Sequence, residues 1–186
     1  MPETVTASTK EFAKRLEREA MLGGPEEGDD PVVDVLWREA KRWLLGGCVG
    51  YALALAKESE GTVIALECRK AGTGDGDWTL RHAGLHRGDP QQCLAEIAAG
   101  RGDRLAVVDA LGEGTFDDRM DLYWLDGHEF RVVTAEGRPW SDGKAAETTV
   151  HLLPGPCLAL GLEFDVEACL AEIEARPGTR PTGMAP

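Results

Sequence analysis

Gly46-Gly47-Cys48-Val49-Gly50-Tyr51-Ala52-Leu53-Ala54-Leu55-Ala56 sets a cysteine behind two glycines, at the first turn of a helix that is apolar nearly all round. A helix without a polar face belongs inside a domain, so the segments on either side must be arranged around it. Helix N-termini also carry free N–H groups and a partial positive charge, which favour a thiolate. The stretch therefore has two readings. Cys48 is either a small buried hydrophobe beside a glycine turn or a nucleophile presented at the mouth of a buried helix.

Towards the N-terminus, Ser8 and Glu11 form a capping-box pair ahead of Phe12, Leu16 and Ala20 at helical spacing. This predicts a helix to about Leu22, stopped by Gly23-Gly24-Pro25. The acidic loop Glu26-Glu27-Gly28-Asp29-Asp30 ends in Asp30-Pro31, a cap with proline at the first helical position. Leu36, Ala40 and Trp43 or Leu44 mark one face of a second helix, and the Cys48 helix then runs to about Ser59.

Past Gly61 the pattern changes. Thr62-Val63-Ile64-Ala65-Leu66-Glu67-Cys68 is β-branched and apolar, the pattern of a buried strand. The glycine-rich stretch from Ala71 to Asp77 is a loop without the Lys-Ser/Thr of a phosphate loop. Further strands are expected over Trp78–His86, over Leu105–Val108 running into Asp109, over Phe130–Val133 and over Thr148–Leu153. Met120–Leu125 reads as a strand or a helical turn, Pro90 opens a short helix ended by Gly100, and Asp165 caps a last helix ended by Pro177. Helices first, then a largely antiparallel sheet, then a closing helix make an α+β domain. The expected division is an N-terminal helix and acidic loop over 1–30, a single α+β domain over 31–175, and a disordered tail over 176–186.

Composition bounds the function. The apolar share of 42% and charged share of 28% are those of an ordinary globular protein. A net charge of −13 argues against general nucleic-acid binding, which needs clustered Lys and Arg, and suits a basic partner. No apolar run reaches the length of a membrane span, and the N-terminus lacks the basic and apolar regions of a signal peptide. A cytoplasmic protein is the expectation. The cysteines at 48, 68, 93, 157 and 169 are odd in number and without CxxC spacing, which fits reduced thiols rather than a disulfide or zinc framework.

A cysteine hydrolase needs a base within reach of the thiol and a third group to hold the imidazole tautomer. His82 lies on one predicted strand and Asp109 at the end of the next, which meets those roles with Cys48 as nucleophile. His86 shares a strand face with His82 but lies about 13 Å further along, at ~3.3 Å per residue. Only one of them reaches Cys48, and His82, which begins the apolar run, is preferred. No third ligand joins them, so neither metal nor cofactor is expected. His128 and His151 read as surface residues, and Arg101-Gly102-Asp103 as a turn rather than an adhesion motif. The five tryptophans mostly serve the core, with Trp78, beside the glycine loop and the His82 strand, the one placed to line a substrate groove.

In its order of Cys, His and Asp the chain resembles the papain-like and transglutaminase-like superfamily. More narrowly, it is similar to small bacterial and phage proteins with a Gly-Gly-Cys helix start, a His-led strand and a strand ending in Asp-x-x-Gly. The matching residues are Gly47-Cys48, His82-Ala83-Gly84-Leu85 and Asp109-Ala110-Leu111-Gly112, within a span from about Trp37 to Gly112. The resemblance implies attack on an amide, isopeptide or thioester bond of a protein or peptide substrate. Many members stabilise the oxyanion with a Gln upstream of the cysteine. Here no Gln precedes Gln91, so the backbone N–H of Cys48 and one other donor would serve. The helix from Pro90 to Ala99 also stands where the family has a short turn between the His and Asp strands. The alternative is a non-catalytic acidic binding protein that occupies a basic surface of a protein partner.

Overall fold

A computed structural model describes residues 9–22, 24, 30–138 and 151–176. Seven α-helices among them surround a five-stranded antiparallel sheet, an α+β fold. The chain enters through α1 (Thr9–Leu22), α2 (Pro31–Leu45) and α3 (Cys48–Glu58). Strands β1 (Thr62–Lys70) and β2 (Thr79–His86) precede α4 (Pro90–Ala98), and β3 (Ala106–Asp109) and β4 (Gly112–Thr115) follow it. Next come α5 (Met120–Tyr123), β5 (His128–Thr134), α6 (Pro154–Leu160) and α7 (Val166–Ala175). The sheet order is β4-β3-β2-β1-β5, which puts β2 in the middle.

Both faces of the sheet are covered, and the period-2 alternation of β1 shows how. Val63 and Ala65 join a large core with α1, α2, α3 and α7. Ile64 and Leu66 join a smaller one with Cys93, Val107, Phe116 and Tyr123. Leu122 packs against both. Helix α1 is part of the main core through Phe12, Leu16 and Ala20, so it is joined to the rest by packing rather than standing apart. Helix starts follow the side-chain caps: Asp30 accepts from Val32 N, Asp89 from Gln91 N and Asp165 from Ala168 N. No helix among the described residues is long and apolar enough to cross a membrane.

Several expectations change. Met120–Leu125, open between strand and helical turn, holds the short helix α5 over Met120–Tyr123. Of the strand expected over Thr148–Leu153, only residues 151–153 are described, and they are not strand. Strand β4 and helix α6 are additions. Trp124 is 55% exposed and stacks on Phe130 instead of serving the core. Arg101-Gly102-Asp103 is a tight turn whose Gly102 is buried against Val132, where a Cβ would lie 2.7 Å from the valine Cβ. Ser8, residues 26–29, Trp140 and the tail from Pro177 lie outside the described residues.

Candidate active site

Strand pairing assembles the site. Leu85 pairs with Val108 across β2 and β3. Continuing that register sets Asp109 opposite Gly84 and therefore diagonal to His82 on the same face, within reach of a long side chain. Gly84 keeps the approach close, because a Cβ there would lie 3.1 Å from both Val107 Cβ and Val108 O. His82 Nε2 and Asp109 Oδ2 are 2.9 Å apart, with the histidine fully buried and Asp109 2% exposed.

Asp109 is held on all sides. Its Oδ1 accepts from Leu111 N at 2.8 Å, which fixes the turn into β4. Arg119 Nε lies 2.9 Å from Oδ2, an ion pair whose angle is too poor for a hydrogen bond, while Arg119 Nη2 donates to Gly112 O at 3.0 Å. Burial alone would raise the carboxyl, but the Arg119 charge and the His82 bond hold it below its ordinary range. Asp109 is a buried carboxylate.

The His82 ring is fixed by more than Asp109. Tyr123 stacks on it at 4.5 Å and 17°, and Phe116 meets it edge-on at 6.0 Å. Burial disfavours the imidazolium, but hydrogen bonding and charge from Asp109 and Cys48 outweigh that and raise the pKa above the ordinary value. The contact with Cys48 falls short of an aligned hydrogen bond, and Nδ1 has no other partner among the described residues.

Cys48 is the first residue of α3 and is 5% exposed. The cap residue Gly47 makes no side-chain hydrogen bond to the helix, so no side chain competes for the first-turn N–H groups. Gly47 is required by packing, since a Cβ would stand 2.4 Å from the Trp43 ring. Tyr51 anchors the same helix by accepting from Leu153 N at 2.9 Å. Cys48, His82 and Asp109 are thus brought together. His86 is not part of the group, because its Nδ1 bonds Ala106 O at 2.7 Å. His151 pairs with Glu172 at 2.6 Å, and His128 Nδ1 contacts Asp126 O at 3.1 Å.

Trp78 is not brought to the triad. It lies between the guanidiniums of Arg69 and Arg131, at 4.6 and 4.0 Å, on the β1–β5 side of β2 and away from Asp109. A cleft of about 470 Å³ lies between Lys14 and Arg18 of α1 and the stretch containing Leu111, Arg119 and Leu122. Arg119 lines it and also touches Asp109. Sequence reasoning missed Arg119, Tyr123 and Phe116, which lie in a stretch without clear periodicity. All five cysteines are free and buried, and no group of three or more His, Cys, Asp or Glu among the described residues is arranged to hold a metal.

No family model, no curated protein and no solved structure matches the chain.

Proposed function

We propose that this protein is a cysteine hydrolase or acyl transferase of the papain-like and transglutaminase-like kind, acting on an amide, isopeptide or thioester bond. The observation that carries the reading is the buried Asp109–His82 pair with Cys48 beside the ring at a helix N-terminus. In this mechanism the Cys48 thiol gives its proton to His82, and sulfur forms a bond to the substrate carbonyl carbon. The carbonyl π electrons move onto oxygen, next to the open N–H groups of α3. Collapse of that oxyanion breaks the bond to the leaving group, which takes the proton from His82. Water or an acceptor nucleophile then releases the acyl group from sulfur, with His82 as base. Asp109 fixes the imidazole tautomer and faces the positive charge that His82 gains.

The test is acyl trapping. Treated briefly with p-nitrophenyl acetate at neutral pH, the protein is expected to carry acetyl at Cys48 ahead of the other four cysteines, as located by peptide mass spectrometry. Burial supports the contrast, pushing Cys157 up to about 11 and Cys169 up to about 12. His82→Ala is expected to remove the adduct. Equal acylation of all five, or none at Cys48, ends the reading. The second reading, an acidic binding protein, draws on the burial of Cys48, His82 and Asp109, which suits a core as well as a closed site. It requires that Cys48→Ser keep full biological activity.

A further inference from the structure

Five buried side-chain nitrogen and oxygen atoms among the described residues have no hydrogen-bond partner. Four of them, on Arg81, His82, Arg119 and Tyr123, belong to one cluster. His82 and Arg119 both meet Asp109, Tyr123 stacks on His82, and Arg81 Nη2 donates to Tyr123 O at 3.4 Å. Arg119 Nε is compensated by its ion pair with Asp109 at 2.9 Å and His82 interacts with Cys48, which leaves Arg81 Nε and the Tyr123 hydroxyl as the uncompensated atoms, at about 1–3 kcal/mol each.

Within that cluster we infer that the Tyr123 phenol donates a hydrogen bond to the oxyanion formed when Cys48 attacks a substrate carbonyl, an assignment that rests on the cysteine-hydrolase reading. The hydroxyl is buried and unpartnered, and the stack on His82 holds the ring against the base. Burial and the Asp109 charge keep the phenol protonated, which leaves it a donor, and it lies within the electrostatic reach of Cys48. With the N–H groups at the start of α3, it gives the oxyanion two kinds of donor.

Tyr123→Phe removes one oxygen and keeps the ring. Two reactions at Cys48 then separate the roles. Acetylation by p-nitrophenyl acetate passes through a tetrahedral oxyanion, whereas iodoacetamide displaces iodide from a saturated carbon and forms none. Acetylation of the variant is expected to slow about 10²–10³-fold, the usual effect of losing one oxyanion donor, with the alkylation rate and Tm held or Tm raised. Unchanged acetylation overturns the assignment. An equal fall in both rates overturns it too, because Tyr123 then acts through Cys48 and His82. A marked loss of Tm shows that the hydroxyl has a structural partner, with the same result. Failure of the wild-type protein to acetylate at Cys48, while iodoacetamide still labels it, removes the hydrolase reading itself.

Discussion

Asp109→Asn is the sharpest test of how the site is held together. Asparagine preserves the shape and the acceptor for Leu111 N but removes the charge. Arg119, 6% exposed and 2.9 Å from the carboxylate, is left with only Gly112 O as a recorded partner. Breaking a buried pair by removing one partner costs about 3–5 kcal/mol, because the remaining charge stays desolvated. For a domain of this size each kcal/mol moves Tm by roughly 2–4 °C, so a fall of about 6–20 °C is expected.

The second half of the test identifies the cause. Removing both members of a buried pair is often neutral, so Asp109→Asn with Arg119→Met is expected to recover most of the loss. Urea unfolding of wild type, both single variants and the double variant closes the cycle. A cost below about 1 kcal/mol for Asp109→Asn, or a double variant no more stable than that single, refutes the reasoning. In the same variant the amide no longer fixes the His82 tautomer, and Cys48 acylation is expected to fall by up to about 10⁴-fold.

Two further outcomes follow from the same geometry. His82 is raised in the folded state, so its proton contributes stability fully below the unfolded value near 6.5, and that contribution is lost as pH rises through the folded pKa; urea midpoints measured from pH 6 to 9 are expected to fall, and His82→Gln to flatten the slope. Gly155→Ala would put a Cβ 2.0 Å from the Leu111 carbonyl oxygen, pressing α6 into the turn that holds Asp109, and is expected to cost about 3 kcal/mol by thermal unfolding.

What was legible in the sequence was whatever local chemistry dictates. Asp-Pro at 30–31 and 89–90 marked helix starts because the cap and the fixed proline φ act within one turn. His82 and Asp109 were expected on successive strands, and the β2–β3 pairing brings them within hydrogen-bond distance. Strand β4 was hidden because Gly112-Glu113-Gly114-Thr115 has no apolar alternation. Its glycines answer to contacts that exist only in the fold: Gly112 has φ +116, and a Cβ on Gly114 would lie 3.0 Å from the Arg119 guanidinium. Helix α6 went unread as well: Pro154 opens it, and its Gly155 is needed against Leu111. Arg119 was invisible for a related reason. Its partner is ten residues away around a turn, a separation with no periodic signature.

The cost of this arrangement bears on why it is kept. Asp109 and Arg119 are charged and buried, and removing them from water costs several kcal/mol per ion, which the ion pair and its few hydrogen bonds only partly offset. The Tyr123 hydroxyl adds an unsatisfied atom at the same place. Apolar side chains of similar volume would bridge the two cores, which already meet at Leu122, without any of these penalties. Under the proposed hydrolase reading, that stability cost is what a base held between a thiol and a carboxylate would require. Trp78 differs, because its two guanidinium neighbours are paired with Glu129 and Glu67. The charges of that stack are satisfied within it, while Trp78 Nε1 is the fifth buried atom without a hydrogen-bond partner among the described residues.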